Sequence, residues 1–219
     1  MIRILLAGGT GLVGRQTVPL LLAQGHEVHL VARRDTGLAA PGLHHHIGPA
    51  SDWAGKVPEV APEIVISCLG TTWAKAGKSE SAFRAVDQHL VTSVMEAARE
   101  AGARHAIAIS SVGADARSRS FYLRVKGEVE AALASMGFDR LDILRPGLLK
   151  GNRGAERRPG EQVAMLLSPL TDALMSGKAL RRYRSIESAS VARAVASLAT
   201  AQGSGRFTHH HDEIVALAR

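Results

Sequence analysis

The run Ile2-Arg3-Ile4-Leu5-Leu6-Ala7 is short, apolar and rich in β-branched residues. It passes directly into Gly8-Gly9-Thr10-Gly11-Leu12-Val13-Gly14 and then into the helix-like stretch 15–24. Strand, tight turn and helix in that order are the opening of a unit that binds a dinucleotide. Each glycine has its own physical task. Gly8 makes a turn with unusual dihedrals, Gly11 lets the backbone approach a pyrophosphate, and Gly14 allows helix to pack closely on strand. The N–H groups that open the helix point at the phosphates. The spacing is Gly-x-x-Gly-x-x-Gly, and the strand, turn and helix around it make the motif more specific than glycines alone.

The alternation continues along the chain. Residues 26–32 form a second strand, 43–47 a short third, 63–69 a fourth, 105–110 a fifth and 141–144 a sixth. Residues 79–102 have the length and apolar spacing of a helix closed by Gly102, and 121–136 form another. Repeated strand and helix argue for an α/β protein with a doubly wound parallel sheet covered on both faces, a Rossmann-like arrangement. Residues 1–219 read as one domain, without a polar linker or internal repeat, in which 148–219 contribute the substrate side.

Ligands collect at the carboxyl ends of such strands. The chemistry-bearing residues fall there: Gly8 to Gly14, Arg33 and Arg34, Cys68 to Thr72, Ser110 and Ser111, and Pro146-Gly147. At the second strand an acid would accept hydrogen bonds from a free ribose 2′-hydroxyl, whereas a guanidinium pairs with a 2′-phosphate. Two arginines precede any acid there, so the sequence favours NADP(H) over NAD(H). Tyr122 and Lys126 are one helical turn apart, which sets an ammonium where it can stabilise a phenolate. That pair, with a serine to hold the oxygen receiving the proton, suits proton relay.

These residues together resemble an atypical short-chain dehydrogenase/reductase. More narrowly, several ordered blocks resemble the Tat-interactive protein family of NADPH-binding proteins. They are Ala32-Arg33-Arg34, Cys68-Leu69-Gly70-Thr71-Thr72 with Lys75-Ala76-Gly77, Val125-Lys126-Gly127-Glu128-Val129-Glu130, Phe138-Asp139-Arg140 with Arg145-Pro146-Gly147, and Arg158-Pro159-Gly160-Glu161. The resemblance implies that Gly8, Thr10, Gly11, Leu12 and Val13 line the pyrophosphate, that Arg33 and Arg34 hold the 2′-phosphate, and that Cys68, Leu69 and Gly70 lie by the central ribose. It implies that Ser111, with Ser110 as the alternative, polarises a carbonyl, Tyr122 donates the proton and Lys126 binds the nicotinamide ribose. One departure stands out: many short-chain dehydrogenases have asparagine where this chain has Asp87.

The function expected is NADPH-dependent reduction of a small carbonyl compound; the alternative is a cofactor sensor that binds a protein partner without turnover. The net charge of +7 is scattered and aromatic residues are scarce, which argues against a nucleic-acid surface. The single Cys68 cannot form an internal disulfide, and no apolar run reaches membrane-spanning length, so a reducing, cytoplasmic setting without membrane contact is expected. Oligomeric state is left open. His44-His45-His46 and His209-His210-His211 are read as structural or surface residues, with no metal, because neighbours on a strand face opposite ways and no carboxylate or thiol cluster accompanies them. Cys68 is read as a buried thiol beside the cofactor. Residues 162–175, apolar at helical spacing, are expected to cover the substrate end.

Overall fold

The structure, a computed structural model, describes residues 1–151 and 180–219. Its strands are β1 (Arg3–Ala7), β2 (Glu27–Ala32), β3 (Leu43–Ile47), β4 (Ile64–Ser67), β5 (His105–Ile109), β6 (Arg140–Leu144), β7 (Leu149–Lys150), β8 (Ile186–Glu187) and β9 (Gly205–His209). Seven of them form one parallel sheet in the order β3-β2-β1-β4-β5-β6-β9, while β7 and β8 pair separately. The strand order reverses between β1 and β4, which opens a crevice at their carboxyl ends.

Continuous apolar strands such as Ile4-Leu5-Leu6-Ala7 demand cover on both faces. The even-numbered side chains Ile4, Leu6, Val28 and Leu30 pack against Val18 and Leu21 of α1 (Gly14–Ala23) and against Val191 and Val195 of α6 (Ser188–Leu198). The odd-numbered Leu5, Val31 and Val65 pack against Val57 of α2 (Trp53–Val60), Met95 of α4 (Val91–Glu100) and Leu133 of α5 (Phe121–Ser135). A short helix α3 (Glu80–Arg84) precedes α4, and α7 (His211–Leu217) closes the chain with Ile214 buried against α6.

The expected strands and the long helix are present, with two changes of detail. The helix over 79–102 is interrupted by a π-turn segment, Ala85–Leu90, whose widened turn carries the buried Asp87. The end of the chain, expected to contribute the substrate side, also builds the main sheet and its cover. Leu149 does line the cleft described below, but Gly205–His209 is the seventh strand of the main sheet and α6 covers α1. The cover expected at 162–175 and the block Arg158-Pro159-Gly160-Glu161 lie outside the described residues. Among the described residues, no helix is long and apolar enough to cross a membrane.

Candidate functional site

The glycine turn is built by close approach. Gly8 has φ +90°, and a Cβ added to it would stand 2.6 Å from the carbonyl carbon of Cys68. A Cβ on Gly14 would stand 2.3 Å from the Gly8 oxygen. Neither position admits a side chain without displacing backbone, so the turn is held tight where β1 and β4 meet α1. The Gly11 N–H donates to the Gly8 carbonyl at 3.0 Å and closes it. No carboxylate occupies the first turn of α1, leaving the positive end of the helix to an external anion.

A cleft of about 300 Å³ starts at this turn. Its walls are Thr10, Gly11, Leu12 and Val13 from the turn and Cys68, Leu69 and Gly70 from the loop after β4. Ser110 after β5 and Tyr122 and Lys126 from α5 complete the far end. Gly8 and Gly14 shape the turn from behind. The other expected residues stand off the cleft. Arg33 and Arg34 are exposed beyond the end of β2. The buried Pro146 accepts the Val112 N–H at 3.0 Å, and a Cβ on Gly147 would stand 2.2 Å from the Arg184 oxygen, so that turn packs closely against residue 184.

The two serines differ. Ser110 lines the cleft, but its hydroxyl donates to Glu130, which also forms an ion pair with Arg145. Ser111 is half-buried, and its hydroxyl donates to the Val112 carbonyl at 3.3 Å. Tyr122 is 38% exposed, with its ring edge-on to the buried Phe83 at 5.7 Å.

Lys126 is 6% exposed and Asp87 only 1%. The Lys126 ammonium lies 2.8 Å from Asp87 Oδ1, and Asp87 Oδ2 accepts the Thr71 N–H at 2.7 Å. Oδ1 has no aligned hydrogen-bond donor, so the contact with the ammonium is ionic in character. One carboxylate therefore ties the π-turn, the loop after β4 and α5 into one wall. Gly70 lies over the pair: a Cβ there would stand 3.7 Å from Asp87 Oδ1 and 3.9 Å from Lys126 Nζ. The departure from asparagine at Asp87 thus supplies a fixed counter-ion for the site lysine.

Sequence reasoning missed Arg15, which lines the cleft with Thr71, Thr72 and Lys75; those three were singled out after the fourth strand or in a resembling block but given no role. Arg15 directly follows Gly14 and was findable as a cation in the first turn of the phosphate-binding helix. Glu130 and Arg145 were visible only as members of resembling blocks, since their pairing joins α5 to the end of β6. Burial pushes the Cys68 thiol up to about 12 against the lowering effect of its hydrogen bond with Thr17. A thiol held that high carries little thiolate at neutral pH, which fits a packing role beside the cleft better than a nucleophilic one.

The histidine triplets divide. His209 donates to the buried Asp142 carboxylate at 2.7 Å, alongside His105 at 2.8 Å and Arg140 at 2.6 Å. The other triplet corrects an expectation: a carboxylate does accompany it. Glu27 on β2 lies 3.0 Å from His44 Nε2 and 3.3 Å from His29 Nε2, because the parallel register sets His29 beside His44.

A doubly wound parallel sheet with an anion-ready glycine turn at its switch point and a Tyr–Lys helix beside the crevice defines a Rossmann-type dinucleotide-binding protein, consistent with an atypical short-chain dehydrogenase. The chain belongs to the NAD(P)H-binding family, which matches residues 8–202. Protein HTATIP2 of Rattus norvegicus is 34% identical over 212 residues, covering 93% of this chain and 84% of that protein. Protein fmp52, mitochondrial, of Emericella nidulans is 37% identical over 173 residues, covering 75% and 73%. Among solved structures, Bordetella bronchiseptica WbmH in complex with NAD+ superposes with a TM-score of 0.71 at 16% identity, covering 96% of this chain and 75% of that one. Human epimerase family protein SDR39U1 with NADPH gives 0.64 at 18%, covering 95% and 74%. The resemblance to the Tat-interactive proteins is borne out. The cytoplasmic expectation is corrected: the relatives from Emericella nidulans, Aspergillus niger and Coccidioides immitis are all named as mitochondrial proteins.

Proposed function

We propose that the chain is an NADPH-dependent oxidoreductase that reduces a small carbonyl compound. The observation that carries this reading is the single cleft running from the glycine turn to Tyr122 and Lys126. The absence of room for a Cβ at Gly8 and Gly14 fits a backbone that must meet a pyrophosphate. Arg33 and Arg34, exposed at the end of β2, with Arg15 on the cleft wall, favour a 2′-phosphate. When bound, NADPH supplies a hydride to the carbonyl carbon. The Tyr122 hydroxyl holds the proton that the carbonyl oxygen takes up, and the resulting phenolate regains a proton from solvent. Lys126, steadied by Asp87, keeps a cation beside the reacting end and offers N–H donors to a ribose hydroxyl. Ser111, or Ser110 from the cleft wall, holds the carbonyl oxygen.

One observation favours a second reading, a cofactor sensor with a protein partner. The Lys126 ammonium is held by Asp87 and the Ser110 hydroxyl by Glu130, so two of the polar groups needed for turnover are already engaged.

The test is NADPH oxidation over a panel of aldehydes, ketones and quinones. The unmodified chain should turn over at least one of them. Tyr122→Phe should lose about a hundredfold or more of that rate while binding NADPH nearly as well. Turnover that survives Tyr122→Phe would remove the mechanism. NADPH binding with no oxidation across the panel, joined to NADPH-dependent binding of a protein, would establish the sensor.

A further inference from the structure

The outer edge of the sheet, away from the cleft, carries an unexplained cluster. We propose that Glu27, His29 and His44 form a binding site for one divalent transition-metal ion of the zinc type, with His46 orienting His29. Glu27 and His29 are two apart on β2 and so share a face, and the register places His44 of β3 directly beside His29. Their candidate ligand atoms all lie within 4.8 Å of one another. The two separations from Glu27 Oε1, 3.0 and 3.3 Å, lie near the edge of about 3.3 Å expected for a tetrahedron with bonds of about 2.0 Å.

Two further observations point to an ion rather than to simple pairing. His29 Nε2 is shielded from water and has no aligned hydrogen-bond partner, a costly state for a ring nitrogen unless it is ligated. The other ring nitrogen, Nδ1, lies 3.0 Å from His46 Nε2. A bond from Nδ1–H to His46 fixes the tautomer that leaves Nε2 as a lone-pair donor, the usual support of a metal-bound histidine. His29 is 13% exposed and Glu27 24%, whereas His44, its ring stacked on His29, is 50% exposed. The open side leaves a fourth position to water. Imidazole and carboxylate together suit zinc, copper or nickel better than magnesium or calcium. The third member of the triplet does not belong: His45 Nε2 is paired with the Leu38 carbonyl at 3.0 Å. A bound ion would clip the edge strand β3 to β2.

The experiment uses the full chain, produced without a histidine tag and freed of metal by a chelator. Zinc is titrated in competition with a chromophoric chelator, and cobalt(II) is added separately to read its visible bands. One ion per chain is expected, with cobalt bands of a four- or five-coordinate site and a rise in melting temperature on adding zinc. His44→Ala and Glu27→Gln, both at partly exposed positions, should each weaken zinc by about tenfold or more and cancel the thermal shift. His45→Ala should leave both unchanged. Binding below one ion per chain overturns the site. So does stoichiometric binding that His44→Ala and Glu27→Gln leave intact, or that His45→Ala weakens equally.

Discussion

At the scale of single residues, the ion pair of Asp87 and Lys126 decides how the far end of the cleft is held. Both groups are taken out of water, and the carboxylate also satisfies the Thr71 N–H. Removing one member of such a pair leaves the other charge buried and alone, at a cost of about 3–5 kcal/mol. Asp87→Ala should therefore lower stability by that order in urea unfolding and also loosen NADPH, since the loop after β4 loses its anchor. A variant that unfolds at the same urea concentration as the unmodified chain would show that water reaches the pair. Arg33 and Arg34 lie at the opposite extreme, exposed, so their substitution should leave the fold alone. Arg33→Ala or Arg34→Ala should weaken NADPH by about tenfold, with much less effect on NADH, in fluorescence titration. Equal affinity of the unmodified protein for both cofactors would remove the argument for a 2′-phosphate site.

At the scale of elements, Asp142 fastens three strands. It lies on β6, fully buried, and meets His105 of β5, His209 of β9 and Arg140 of its own strand. Burial by itself would raise its proton affinity, but the hydrogen bonds from His105, His209 and Arg140 outweigh that and hold the carboxyl well below the usual carboxylate range. The folded state thus binds this proton less readily than the unfolded chain does. The stability it contributes is present above the unfolded value of about 3.9 and is lost as pH falls towards the depressed folded value. Asp142→Asn should cost about 3–5 kcal/mol at neutral pH. The gap between variant and unmodified chain should shrink steadily from pH 4 to pH 2 in urea titrations. A gap that stays constant over that range would mean the carboxyl is not ionised in the fold.

At the scale of the whole molecule, the last third of the chain is part of the dinucleotide fold as well as of its surroundings. The strand Gly205–His209 covers the edge of β6, and Ile214 of α7 is fully buried. A chain ending at residue 200 would lose the seventh strand, expose the β6 edge and strip Asp142 of His209. It should unfold without a cooperative transition and associate in solution, as read by circular dichroism and light scattering. Cooperative unfolding at the unmodified temperature would show that the first six strands suffice.

Local patterns are what the chain declares on its face. The glycine turn, the six strands up to Leu144 and the helix of Tyr122 and Lys126 follow from periodicity and from steric rules acting over a few residues. Those signals were enough to assign the fold, and the family resemblance added the expectation that Thr10, Cys68, Gly70, Tyr122 and Lys126 share one crevice. What only the tertiary structure decided are the meetings of residues far apart in the chain. Asp87 of the π-turn meets Lys126 of α5 within one wall of the cleft, Ser110 is engaged by Glu130 of α5, and Glu27 meets His44 through the register of two neighbouring strands. β9 belongs to the same class: Gly205-Arg206-Phe207-Thr208-His209 is mostly polar and largely open to solvent, so it lacks the apolar run that marks a central strand. Its place at the sheet edge is set by its pairing with β6 and by His209 reaching Asp142. Such contacts depend on how packed layers bring side chains together, and no spacing within a short window encodes that.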